Sequence, residues 1–238
     1  MTVAPGWTRV RAAAVKAISD PWVWAPLAGA AVLQVDHLDR RLSHWGRKRN
    51  PIFGSEANAT LWSDRLRSAS VGVDIATVLF TPSGDAGGAW VLAKSRGYLL
   101  NLAAATTAIE STTLLQHVTR RERPNGANDH SFPSGHSAAS SVYTSLATLN
   151  LQQMPLGGGT RQALDAGLHA LSFATAWARV EGGWHYPSDT LAGMAIGNFC
   201  AVFFTDAFMG LDGSRTRVSV SPLPGGGELT FAVVLRTQ

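Results

Sequence analysis

A chain of 238 residues, 45% hydrophobic and 15% charged, is long enough for one domain with a large core and a small appendage. The charged fraction lies below the quarter usual for a domain surrounded by water, and eight tryptophans and 24 glycines point to a tightly packed or membrane-related helical protein. A net charge of +4 suits an anionic surface or substrate, but no zinc-finger spacing or RNA-binding aromatic pattern supports a nucleic-acid partner, and the single Cys200 excludes an intramolecular disulfide.

In chain order, Arg9, Arg11 and Lys16 precede an apolar stretch from Trp22 to Val35 that Pro26 interrupts and Asp36, Asp39, Arg40 and Arg41 close. Without a small-residue cleavage site, this reads as a structural helix over 21–48 rather than a signal peptide. Residues 55–80 read as a second helix, its apolar face drawn through Leu61, Leu66, Val71, Val73 and Val78. A Pro/Gly-rich loop follows, then a long apolar helix from Trp90 to His117. Helices are predicted over 136–150, 161–180 and 189–209, the last with Ser188 as its N-cap. The tail alternates over 217–221 and 228–235 around a Pro/Gly turn, the pattern of a β-hairpin. The best candidate for a spanning helix, sixteen uncharged residues from Thr190 to Thr205, falls short of the roughly twenty such a helix needs. A helical bundle resting on or partly within a membrane fits the composition better than a multi-span protein.

Two polar islands interrupt this apolar chain, QHVTRRERPNGANDHSFPSGH (116–136) and ARVEGGWHYPSD (178–189). In the first, Arg120, Arg121 and Arg123 stand beside a turn-rich loop that runs into a helix at Pro133-Ser134-Gly135-His136. Free N–H groups at a helix start, next to arginines, make a site for an anion such as phosphate. In the second, His185 and Asp189 are four residues apart, so a carboxylate can reach the imidazole, fix its tautomer and raise its basicity. His136 can donate a proton at the edge of the anion site, and Arg123 and Arg179 can grip phosphate oxygens in bidentate fashion. Two histidines and two arginines without a metal-ligand pattern point to phosphoryl transfer through a covalent histidine intermediate, with no cofactor. Taken without a motif, the other five histidines read as structural, Arg121 as a surface or membrane-facing charge, Glu181 equally as a salt-bridge partner or a functional group, and Trp184 and Tyr186 as packing first and substrate contact second.

Pro133-Ser134-Gly135-His136, then Arg179, His185 and Asp189 at fixed spacing, preceded by Arg123-Pro124, resemble the three motifs of the type 2 phosphatidic acid phosphatase superfamily, shared with vanadium-dependent haloperoxidases and bacterial acid phosphatases. Two positions depart from that pattern: Gln116 stands where lysine is expected, and Ala178 where serine is. The resemblance implies an all-α bundle of about six core helices over residues 1–212, with residues 213–238 as the appended hairpin. It implies His185 as nucleophile, Asp189 as its orienting partner and His136 as general acid. Arg123, Arg179, Ser134, Gly135 and the departed Gln116 would bind phosphate.

The implied activity is a metal-independent phosphatase acting on a lipid phosphate or pyrophosphate at the cell envelope, its site on the non-cytoplasmic side. A vanadate-dependent haloperoxidase is the alternative the shared pocket allows. A catalytically weak binding or scaffold protein is the alternative that Gln116 and Ala178 suggest. A neutral amide in place of a cation removes a charge-assisted bond, and Arg120, one turn from Gln116, is the sequence's candidate to restore it.

Overall fold

The computed structural model describes all residues except 1, 3, 84–85, 210–215, 223–228 and 236–238. Eight α-helices are present among the described residues: α1 Trp7–Ser19, α2 Pro21–Val32, α3 Leu38–Arg49, α4 Glu56–Phe80, α5 Gly87–Thr119, α6 Gly135–Leu151, α7 Gly158–Glu181 and α8 Pro187–Phe204. The architecture is all-α. Helices α2 and α4–α8 form the bundle, with α8 at its centre against α6, α2 and α5, and α1 and α3 applied to its flanks. Thr216–Pro222 and Leu229–Leu235 pair as an antiparallel ribbon with Thr216 opposite Leu235; the turn expected between them lies outside the described residues.

Two expectations along the chain need correction. Residues 21–48 are two helices, because Asp36 (φ 48) and His37 (φ 56) adopt left-handed backbone that no continuous helix accommodates. The segment Trp7–Ser19, read above for its charge, is a helix that buries Ala13 and Ala17. At the start of α2, Asp20 accepts the amide of Trp22 and Pro21 occupies the first turn, as the sequence pattern requires.

The packing inverts the pattern expected of a water-facing bundle. The buried apolar set is rich in alanine (Ala59, Ala104, Ala105, Ala108, Ala138, Ala139, Ala147, Ala192, Ala195), and buried beside it are Ser63, Ser70, Ser137, Ser140, Ser141, Thr144 and Thr175. Large apolar residues point outward instead: Trp62, Leu79 and Phe80 on α4, and Leu92, Leu99, Leu114 and Val118 on α5. Helix α4 packs through Thr60, Ser63, Arg67, Ser70, Asp74 and Thr77, flanked on the same side by the buried Val78 and the half-buried Leu66, Val71 and Val73; of the apolar residues named from the sequence only Leu61 is exposed. Small interior residues let helices approach closely, and hydroxyls then bond across the seam, as Ser70 does to Ser140 and Ser140 to Thr175.

The tightest seam joins α6 to α8. A Cβ on Gly193 would overlap the carbonyl oxygen of Ser134, and one on Gly197 that of Ala138. Backbone thus meets backbone directly behind the start of α6. Helix α8 is also the one described helix long and apolar enough to cross a membrane, but more than half of its apolar window is buried within the bundle, which makes it the core helix here.

Candidate active site

The two islands meet. The amide of Asn125 donates to the carbonyl of Gly183 (3.1 Å) and that of Ser134 to the carbonyl of Asp189 (2.9 Å), so the loops are sewn together through their backbones. Gly183 turns the chain out of α7 at φ 71, a conformation that costs other residues energy. The amides of Trp184 and His185 both return to the carbonyl of Arg179, which holds the histidine beside the arginine.

A cavity of about 390 Å³ lies where they join, lined by Gln116, Arg123, Gly135, His136, Arg179 and His185, together with Arg67 from α4 and Ile109, Thr112 and Thr113 from α5. Six of the eight expected site residues therefore share one cavity. The other two, Ser134 and Asp189, are buried behind it.

His185 is buried to 1% exposure, with Nδ1 2.6 Å from the carbonyl oxygen of Ser131. A carbonyl can only accept, so Nδ1 carries the proton and the neutral ring presents an unprotonated Nε2. Burial, and next to it the charge of Arg179, hold the imidazole well below its usual pKa, so it is neutral at neutral pH.

This corrects the role expected of Asp189. Its carboxylate does not touch His185. Oδ2 accepts from Ser131 Oγ (2.5 Å) and from the amide of Tyr186 (2.8 Å), and Oδ1 accepts from Arg121 (2.5 Å). Asp189 thus fixes the residue whose carbonyl fixes the histidine. The reason is local: Tyr186 caps α8, and its amide draws the carboxylate back onto the helix start. Ser188, expected as the cap, lies inside the first turn, where its amide and hydroxyl both donate to Asp39. Burial raises Asp189 to about 6 against the pull of Arg121, Ser131 and Tyr186, leaving a carboxylate at neutral pH.

Arg121 is no surface charge. It bridges Asp189 and Asp39 (2.7 Å), touches Ser188 and lies 4.1 Å over the ring of Tyr186. Glu181 is likewise committed, accepting the amides of Ile52 and Phe53 and the indole N–H of Trp177. Trp184 meets two guanidiniums, those of Arg123 and Arg179, each 5.0 Å from its ring, and donates to Thr60.

His136 is set differently. Its Nε2 meets Asp64 Oδ1 at 2.8 Å, a partner on α4 that the motif reading missed. Burial and Arg179 lower the imidazole to about 4, and Asp64 opposes them; in return the hydrogen bond to His136 holds Asp64 below the usual carboxylate range. The sequence held a signal for α4: Thr60, Ser63, Asp64, Arg67, Ser70, Asp74 and Thr77 recur at helical spacing on one face.

Three expected phosphate ligands behave differently from expectation. Ser134 is fully buried behind the cavity and caps α6, accepting from the amide and hydroxyl of Ser137, which leaves only its own hydroxyl hydrogen to donate. Gln116 donates Nε2 to the carbonyl of Pro133 at 2.8 Å, clamping the loop that delivers His136. Arg120 ends α5 in left-handed backbone (φ 45), is exposed and does not line the cavity, so it does not restore the missing charge. At the N-terminus of α6 the amides of Gly135 and His136 find no acceptor among the described residues.

The cavity gathers positive charge. Arg179 is 5% exposed, with one bond to Ser63, and burial with the neighbouring Arg123 lowers its guanidinium to about 9. The Nε atoms of Arg67, Arg123 and Arg179 are all buried without a hydrogen-bond partner. Converging cations with unspent donors are costly until a negative group fills the space between them.

No curated protein matches this chain. Residues 97–210 match the family model of the PAP2 superfamily. Among solved structures the chain is similar to the crystal structure of the first transmembrane PAP2-type phosphatidylglycerolphosphate phosphatase from Bacillus subtilis, at 16% identity over 82% of this chain and 97% of that one, with a TM-score of 0.46.

Proposed function

Through residues 97–210 the chain belongs to the PAP2 superfamily, and from that premise we propose that it is a metal-independent phosphatase that hydrolyses a lipid phosphate or pyrophosphate through a phosphohistidine. The observation that carries this reading is the convergence of His136, His185, Arg123 and Arg179 on one cavity at a helix N-terminus.

In the proposed first step Nε2 of His185 attacks phosphorus, and the bond from phosphorus to the leaving oxygen breaks. The guanidiniums and the Gly135 amide hold the equatorial oxygens, doing the charge neutralisation that a metal does elsewhere. The leaving alkoxide takes its proton from His136. The imidazole is neutral in the empty cavity, and the arriving dianion raises its proton affinity, so binding itself charges the acid. In the second step His136 accepts a proton from water as that water attacks the phosphoimidazole. The N–P bond breaks, returning inorganic phosphate and a neutral His185.

A lipid substrate is supported by α5. One face of this helix lines the cavity through Thr112, Thr113 and Gln116, while its outer residues Leu99, Leu102 and Leu114 are exposed, a path for an acyl or isoprenyl chain. The same outward apolar residues support association with a membrane; a site on its non-cytoplasmic face follows the topology expected of the resemblance.

The test is phosphate release from a panel of lipid phosphates in EDTA, wild type beside His185→Ala. We expect EDTA-resistant release and an acid-labile phosphoenzyme, both absent from the variant. Release abolished by EDTA, or retained in His185→Ala, overturns the mechanism.

A further inference from the structure

The position where the motif carries lysine is Gln116, and its side-chain amide is engaged by the carbonyl of Pro133. A cation enters the cavity from another direction. Arg67 projects from α4, outside the 97–210 segment, and lines the same cavity as Arg123, Arg179, Gly135, His136 and His185.

Two bland roles for Arg67 fail. It is not held by an ion pair: no carboxylate lies within 4.0 Å of it among the described residues, and Asp64, one turn away, accepts its hydrogen bond from His136. Nor is it a solvated surface charge, because the residue is half-buried and its Nε is sealed from water without an acceptor, as are those of Arg123 and Arg179. Its charge reaches the site, helping to depress both His136 and Arg179. Without an anion, a third guanidinium here only adds repulsion.

We propose that Arg67 is a phosphate-binding residue of this cavity, supplying from α4 the positive charge that Gln116 does not carry. The proposal rests on the phosphatase reading. It divides the work of one motif lysine between two residues: Gln116 holds the Pro133 loop, and Arg67 holds the anion. It also makes α4 a functional element, since Asp64 and Arg67 address the acid and its substrate from successive turns.

The experiment compares Arg67→Met, which keeps an apolar stem, with Arg67→Lys, Gln116→Lys and the double variant Arg67→Met/Gln116→Lys. The probe is dioctanoyl phosphatidic acid, with inorganic phosphate as competing anion. Loss of one charge-assisted contact predicts a roughly 30- to 100-fold fall in kcat/KM for Arg67→Met and a weaker inhibition by phosphate of similar size. Arg67→Lys should stay within about tenfold of wild type, and Gln116→Lys should recover about tenfold or more in the Arg67→Met background. Values for Arg67→Met within threefold of wild type in both measurements would overturn the proposal. Circular dichroism checks the fold, and Arg67→Gln replaces Arg67→Met where the latter does not fold. If the wild type releases no phosphate, the phosphatase reading falls; calorimetric binding of inorganic phosphate to wild type and Arg67→Met then decides Arg67 separately, equal affinities or no binding counting against it.

Discussion

The two imidazoles of the cavity are held by opposite means. His185 is fully buried, its Nδ1 bonded to a backbone carbonyl that Ser131, Asp189 and Arg121 fix in turn. His136 sits at the open side, its ring 28% exposed and tied to Asp64, a carboxylate that is itself 53% exposed. A group that must attack phosphorus from one direction gains from rigidity; a group that must both give and take a proton gains from a partner that can move and from contact with water. The contrast is what the proposed roles of nucleophile and acid require.

The comparison can be broken hardest at the buried end. Asp189→Asn should lower kcat by roughly 10²-fold, short of the roughly 10⁴-fold known where a carboxylate bonds its imidazole directly, because Ser131 stands between the two here. Urea denaturation should show a loss of roughly 2–3 kcal/mol, less than for a fully buried pair since Arg121 is 27% exposed and keeps Asp39. A loss of full triad size would mean a direct contact forms during turnover.

Gly197→Ala tests the scaffold shared by both histidines. The new methyl group would meet the carbonyl of Ala138, so we expect a loss of about 1–3 kcal/mol and a smaller fall in kcat, with KM moving little. Asp64→Asn acts at the open end and should cost about tenfold in kcat. Asp64 raises the proton affinity of His136, so removing its charge should move the acid's limb of the pH profile to lower pH; a shift upward would contradict the pairing.

The smallest effect sharpens the proton inventory. Sulfate keeps its double charge across this window. In the empty cavity His136 titrates near pH 4, and a bound dianion raises that value. Sulfate should therefore bind more tightly as the pH falls from 7 toward 4, by up to a few-fold per unit, and His136→Gln should flatten the slope. Calorimetry or competition against substrate reads both.

The cavity's motif residues were legible in the sequence because each stands at a fixed distance from a turn: Gly135 and His136 open a helix, and His185 follows Gly183. What was not legible is what those side chains touch. Asp189 was assigned to His185 by spacing, yet the amide of Tyr186 and the hydroxyl of Ser131 compete for it, and spacing does not rank acceptors. Arg121, with nothing beside it in sequence but other charges, became the bridge between Asp39 and Asp189, a contact of residues 82 and 68 positions away. Helix α4 was recognised as a helix, and four of its five named apolar residues, Leu66, Val71, Val73 and Val78, are buried or half-buried. What was not singled out is the polar stripe between them that bears Asp64 and Arg67, because this bundle buries hydroxyls and alanines beside its larger apolar residues.

The glycine contacts between α6 and α8 have a consequence for how this molecule can change over generations. Main chain, not side chain, sets the gap behind the two imidazoles, so replacements elsewhere in the interior leave that gap alone. The outer face of α5, with Leu99, Leu102 and Leu114, carries no such restriction. A lineage could exchange residues there, acquiring new headgroups or chain lengths, while the reacting distance stays inherited.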